Sequence, residues 1–270
     1  MAFLTAIPLK MDESFLDISA RFMYLFPVIG AIIGLFVGVY ARFTNNLLSI
    51  LMESINIFVF SGYQNLIFDF LAKGLASGMT IAFLLVIIGF QHTDGLVDVG
   101  NALGLRNATF KEKMDIAHVW TVTRTGAILA LLVSFFTVFF VFLIEIDLLI
   151  QSLIVAEVSA KLSMVTSAWQ GNSPPKSLEK KRGKARSFID FMKRNHKLYA
   201  VSLLISFIIG IVLLGFNGIF VIISGIFIGG AMIFVGKNVF GGVNGDILGA
   251  TNEIARMFGL FVLVILEWLL

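Results

Sequence analysis

Long apolar runs separated by short polar segments divide this chain into membrane-crossing lengths. Leu25–Phe43, Leu71–Phe90, Gly126–Ile144, Leu148–Trp169, Leu198–Phe216 and Ile219–Val235 are each close to the length that crosses a hydrocarbon core of ~30 Å. Asn217-Gly218 is the only separator between the last two. A terminal run, Met257–Leu270, is shorter and needs Ile254 and Ala255 to reach across. Leu47–Phe60 is apolar but interrupted by Glu53 and Asn56, so it is expected to lie in the interface. Asp12–Arg21 is expected to form a short helix on the membrane surface. The prediction is an all-α, polytopic transmembrane helical bundle of about six to seven spans, with residues 1–270 as one integral-membrane domain. Gly30, Gly34 and Gly38 recur every four residues in the first span, the pattern that lets two helices approach closely in lipid.

Composition narrows this further. The chain is 58% hydrophobic and only 14% charged, whereas soluble chains run nearer a quarter charged. It has no cysteine, which excludes disulfides, a thiolate nucleophile and cysteine-ligated zinc. A net charge of +3 is no nucleic-acid footprint, and no nucleic-acid partner is expected. The basic residues follow membrane sidedness instead. With seven spans and the N-terminus inside, the polar segments opening at Gln91, Gln170 and Gly236 share one face and hold most of the Lys and Arg. The opposite connections hold Glu53, Asp69, Glu145 and Asp147. The basic side is cytoplasmic, so those three segments are expected on the cytoplasmic face of the cell membrane. The run Lys176–Lys197 interleaves Phe188, Ile189, Phe191 and Met192 with Lys and Arg, and reads as an interfacial helix on anionic membrane lipid.

Candidate chemistry gathers in two stretches on that face. In Gly89–Gly104, His92, Asp94 and Asp98 follow directly on an apolar run. Asp94 and Asp98 are four apart and share a helix face, where they repel unless a cation sits between them. A hard divalent ion such as Mg2+ takes one or two carboxylates together with substrate phosphate oxygens. In Gly241–Ile254, Asp246 and Glu253 are seven apart and again share a face. Gly242 and Gly245 open that helix with backbone N–H groups able to hold a phosphate. The candidate metal ligands are therefore Asp94, Asp98, Asp246 and Glu253, and the candidate phosphate holders are Gly242, Gly245 and Arg124. His92, Asp94 and Asp98 are the candidate catalytic residues, with His92 placed to accept or orient a proton. Glu157 and Lys161 lie four apart inside the fourth span and read as an internal ion pair. A polar loop joining two helices, with a helix-capping Asp246 in the second stretch, is the plainer alternative.

These motifs together resemble the cobalamin synthase family, the adenosylcobinamide-GDP ribazoletransferases. Phe3-Leu4-Thr5-Ala6-Ile7-Pro8 is similar to the family's opening motif, and Phe26-Pro27-Val28-Ile29-Gly30 to its first-helix motif. Gly89, His92, Asp94-Gly95-Leu96 and Asp98 resemble its central motif. Gly241-Gly242, Gly245-Asp246, Leu248-Gly249-Ala250 and Glu253 resemble its C-terminal motif. Two positions depart, with Asn101 and Val122 standing where the family carries Asp. If those acids bind metal, Asn101→Asp and Val122→Asp are expected to lower the Mg2+ requirement. The resemblance implies that a ribose hydroxyl of α-ribazole, or of its 5′-phosphate, attacks the corrinoid-side phosphorus of adenosylcobinamide-GDP and GMP leaves. It implies Mg2+ as cofactor and an oligomer as compatible. A CDP-alcohol-type phosphotransferase lacks its Ala-Arg and later spacing here. An ion-coupled transporter would be expected to show internal repeats, and none is seen.

Overall fold

The computed structural model describes residues 18–60, 65–117, 121–178 and 184–269. The Phe3–Pro8 motif and most of the expected surface helix lie outside the described residues, although 18–21 are helical. Every regular element among the described residues is a helix. After a short 3-10 turn at Met23–Leu25 come α1 (Phe26–Phe60), α2 (Asn65–Ile88), α3 (Gln91–Leu103), α4 (Phe110–Ala117), α5 (Arg124–Leu143), α6 (Leu149–Gln170), α7 (Lys184–Arg194), α8 (His196–Phe240) and α9 (Gly245–Leu269). Six of them (α1, α2, α5, α6, α8 and α9) are long and apolar enough to cross a membrane.

The bundle is built around α6. Every residue from Ser152 to Ala168 on it is buried. Small residues make that possible, because they let neighbouring backbones come close on all sides. The glycine stripe of α1 lies on α6 as its spacing predicts. A Cβ on Gly30 would sit 2.6 Å from the Glu157 carbonyl, and one on Gly34 2.6 Å from the Ile154 Cα. On another side Ser159 Oγ donates to the Val221 carbonyl and Ser167 Oγ to the Gly229 carbonyl, each at 2.8 Å. Such bonds satisfy hydroxyls that hydrocarbon cannot.

α8 reverses on itself. Its 45 residues are broken at Gly215, which has φ 56° and ψ −131°. That conformation is closed to a residue with a side chain. The neighbours prove the reversal. His196 accepts a hydrogen bond from Trp169 Nε1 at 2.7 Å near the end of α6, and at the other end of α8 Gly242 packs on Asn172 just beyond α6. Gly210 and Gly218 meet backbone to backbone in between. The element is thus the pair of antiparallel spans that the sequence predicts, with the turn two residues before Asn217-Gly218.

Two expectations are corrected. Leu47–Phe60 is not a separate interfacial segment but the continuation of α1, whose 35 residues run ~52 Å at 1.5 Å each. Arg42 ties α1 to the turn after α5, donating to the Ile146 carbonyl at 2.6 Å and pairing with Asp147 at 3.0 Å. Beyond that tie α1 runs alongside the first turns of α2, so its polar residues meet protein as well as solvent; Asn56 is buried. The basic segment is corrected as well. Ala185, Phe188, Ile189 and Met192 of α7 are buried within the protein core, with Phe188 against Phe26. An amphipathic helix can bury its apolar face in lipid or in protein, and here protein takes it.

Candidate functional site

α2 ends in a helix-stop motif that the glycine dictates. Gly89 N–H donates to the Val86 carbonyl and Phe90 N–H to the Leu85 carbonyl, both at 3.1 Å, with Gly89 at φ 66°. Phe90 follows at φ 58°, a left-handed conformation that costs a non-glycine residue ~1–2 kcal/mol. Asp94 N–H then donates to the Phe90 carbonyl at 2.9 Å and α3 begins. The stretch is therefore a helix, the arrangement in which Asp94 and Asp98 share a face, and not the polar loop of the plainer alternative. Its buried positions, His92, Leu96, Val99 and Ala102, recur at helical spacing.

Glycines lock α3 against α9. A Cβ on Gly95 would lie 2.8 Å from the Asp246 carbonyl, and one on Gly249 3.2 Å from the His92 Cα. Rising numbers on one helix meet falling numbers on the other, so the two run antiparallel. Asp94 is exposed, and Asp98 and Asp246 are partly exposed. Burial first, then the charges of Asp246 and Asp94, push the Asp98 carboxyl up to about 7. Burial also raises Asp94. Asp94 and Asp98 of α3 and Asp246 of α9 thus share one rim, three of the four candidate carboxylate ligands. At the start of α9, Asn244 Oδ1 accepts from Ile247 N–H at 3.0 Å, while Asn244 Nδ2 donates to Asp246 at 2.8 Å. Gly245 has open space where a Cβ would stand.

Other candidates fall elsewhere. Gly242 is covered by the chain after α6, since a Cβ there would lie 2.5 Å from the Asn172 carbonyl. Val243 N–H donates to that same carbonyl at 2.7 Å, and Arg186 donates to the Pro174 carbonyl at 2.5 Å. Gly242 is a packing glycine in this arrangement, not a phosphate cradle. Arg124 is exposed at the first turn of α5, without a hydrogen bond or ion pair to another described residue. Glu253 lies two turns below Asp246 and is 6% exposed. It accepts from Arg256 Nη1 at 2.5 Å and from Asn252 Nδ2 at 3.2 Å. Arg256 also pairs through Nε with Glu157, and Lys161 lies 3.8 Å from Glu157. Lys161 Nζ donates to Asn252 Oδ1 at 2.7 Å and faces His92 Nε2 at 3.4 Å. Burial, then the Lys161 and Arg256 cations, hold the His92 imidazole well below its usual pKa. Neutral and 4% exposed, His92 faces this inner network rather than the rim.

Arg256, Asn252 and Asn244 are absent from the sequence-derived site. Arg256 was detectable as a charge three residues after Glu253 at the start of an apolar run. Starting that run at Met257 leaves Arg256 outside it.

Among the described residues no group of three or more His, Asp or Glu side chains is already gathered for a metal ion. The donor set of Asp94, Asp98 and Asp246 still fits Mg2+. It offers hard oxygens whose mutual repulsion a cation relieves, and Mg2+ normally completes its shell with water and substrate phosphate.

The family model described as cobalamin-5-phosphate synthase matches residues 1–264. The chain belongs to the cobalamin-5-phosphate synthase family. Curated relatives named adenosylcobinamide-GDP ribazoletransferase match along nearly the whole chain. The protein of Methanosarcina barkeri is 24% identical, covering 98% of this chain and 89% of its own. That of Methanococcoides burtonii is 27% identical, covering 97% and 89%. That of Methanocella arvoryzae is 28% identical, covering 100% and 95%. No solved structure matches. Within the cobalamin-5-phosphate synthase family this chain's Asn101 has a structural explanation. Its Nδ2 donates to the Thr121 carbonyl at 3.1 Å, and its Oδ1 accepts from Thr123 N–H at 2.9 Å and Thr123 Oγ1 at 2.8 Å. Both ends of the amide pin the start of α5 to α3. Val122, 65% exposed, has no such role.

Proposed function

We propose that this chain is a membrane-embedded adenosylcobinamide-GDP ribazoletransferase. It joins adenosylcobinamide phosphate to α-ribazole or its 5′-phosphate and releases GMP. The match to the cobalamin-5-phosphate synthase family over residues 1–264 carries the reading. The convergence of Asp94, Asp98 and Asp246 from two helices supports it at the site. Asp94, Asp98 and Asp246 would hold Mg2+, which when bound neutralises charge on the diphosphate and on the leaving GMP. Gly245 leaves room for phosphate at the start of α9, where the helix dipole favours an anion. Arg124 is free to reach the same group. The proton of the attacking ribose hydroxyl passes to a rim carboxylate. A rim carboxylate suits that role better than His92, which is sealed beneath Gly249. Bond making and breaking both occur at the corrinoid-side phosphorus, so no side chain becomes phosphorylated. Mg2+, the cell membrane and a cytoplasmic rim belong to the same proposal. The basic bias of the segments opening at Gln91, Gln170 and Gly236 supports the sidedness.

The test is GMP release by purified protein given adenosylcobinamide-GDP and α-ribazole. Asp94→Asn is nearly isosteric and loses only charge. It is expected to lower turnover by ~10²-fold or more, with membrane yield unchanged, as when several kcal/mol of transition-state electrostatics are removed. Near-normal turnover at low Mg2+ would take Asp94 out of the site.

A further inference from the structure

Lys161 stands at a junction that the proposed chemistry does not use. Its ammonium is fully buried, and it bonds Asn252 of α9 at 2.7 Å and faces His92 of α3 at 3.4 Å. His92 lies two residues before Asp94, and Asn252 six after Asp246. One side chain of the central helix therefore touches both carboxylate-bearing helices just below the rim. Glu157 and Arg256 surround it, and Arg256 reaches on to Glu253. Two carboxylates and two cations make the group neutral overall. A buried, balanced and hydrogen-bonded network of this kind defines one arrangement of the helices that carry it. Sideways slip of α3 against α9 would strand buried charge.

We propose that Lys161 is a positioning residue, bridging His92 and Asn252 so that Asp94 and Asp98 on α3 stay in register with Asp246 on α9 for one divalent cation. The inference rests on the transferase reading for its purpose, but not for its geometry. Lys161→Met alone leaves Glu157 and Glu253 in excess, so the informative variant is Lys161→Met with Glu157→Gln. That pair keeps the charge balanced, because Arg256 still answers Glu253. The chain has no cysteine, so spin labels at Leu103→Cys and Ile265→Cys, both exposed sites, are unique. In detergent, pulsed electron resonance on the parent should give one narrow α3–α9 distance distribution. The paired variant should broaden it at an unchanged melting temperature. Its Mn2+ affinity, read by electron resonance without substrate, should fall about tenfold or more, as for lost supports of metal ligands. Asn252→Ala, which removes one arm without touching charge, should weaken Mn2+ in the same direction. A distribution that stays narrow, or Mn2+ affinity unchanged in both variants, overturns the proposal. Absence of GMP release from the parent would instead overturn the transferase reading, with the label distances still deciding the role of Lys161.

Discussion

Asp98 is half-buried beside two other carboxylates, and this fixes how the protein should respond to pH. Its carboxyl is raised from 3.8 to about 7. Between those values the folded state holds a proton that the unfolded state has released. Stability therefore falls as pH rises from about 4 toward 7. Metal-free protein is expected to melt at a higher temperature at pH 5 than at pH 8, and saturating Mg2+ should remove most of that difference. Melting curves at both pH values, with and without Mg2+, check this; Asp98→Asn should flatten the metal-free profile. Asn101 carries a second expectation. Its amide is 1% exposed and saturated by Thr121 and Thr123. Asn101→Asp loses the donor to Thr121 and buries a charge, so it should cost ~1–3 kcal/mol of stability. Val122→Asp, on an exposed side chain, should stay within about 0.5 kcal/mol. Denaturation of both variants tests it. The sequence made His92, Asp94 and Asp98 visible because polar groups rarely follow an apolar run so closely. It could not separate Asp94, which meets solvent, from His92, which meets Lys161, because that depends on the face α9 covers.

At the scale of elements, the glycines divide into two kinds by what surrounds them. Gly34→Val would drive a side chain into the α6 backbone at Ile154, and should abolish a stable α1–α6 seam. Gly78 faces open space on α2, so Gly78→Ala should raise stability by up to ~1 kcal/mol through helix propensity alone. Thermal melts in one detergent compare the two. The spacing of Gly30, Gly34 and Gly38 was enough to foresee the first seam. The continuity of α1 was hidden, because Glu53 and Asn56 look like interruptions until the adjacent start of α2 is seen. α3 was legible in part. The spacing of Asp94 and Asp98 placed them on one helix face, whereas the extent of the helix to Leu103 was hidden by turn-like glycines and acids.

For the whole molecule, Gly215 decides the number of crossings. With α8 folded back, seven apolar helices connect the two faces. The start of α1 and the end of α9 then lie on opposite sides. Glu267, near the end of α9, accepts from Glu145 N–H at 3.5 Å in the turn after α5, far from the rim. The cysteine-free chain allows a direct check. Lys197→Cys and Lys237→Cys, exposed near the two ends of α8, should both react with an impermeant maleimide only from the cytoplasmic side of the cell, and Asp147→Cys only from outside. Labelling of the two α8 sites from opposite sides would overturn the hairpin. That the segments opening at Gln91, Gln170 and Gly236 share one face was legible from Lys and Arg placement, whereas the sharp reversal was legible only as a pair of small residues.

The antiparallel lock between α3 and α9 also bears on how the protein is made. α3 emerges from the ribosome about 140 residues before its partner, carrying His92, Asp94 and Asp98 with nothing yet to cover them. Until Gly249 arrives, the half-formed rim lacks Asp246 and an opposing helix. A chain arrested in α8 would have most of its spans but neither Asp246 nor the helix that opposes α3, so copies terminated before α9 are expected to be inert rather than partly active.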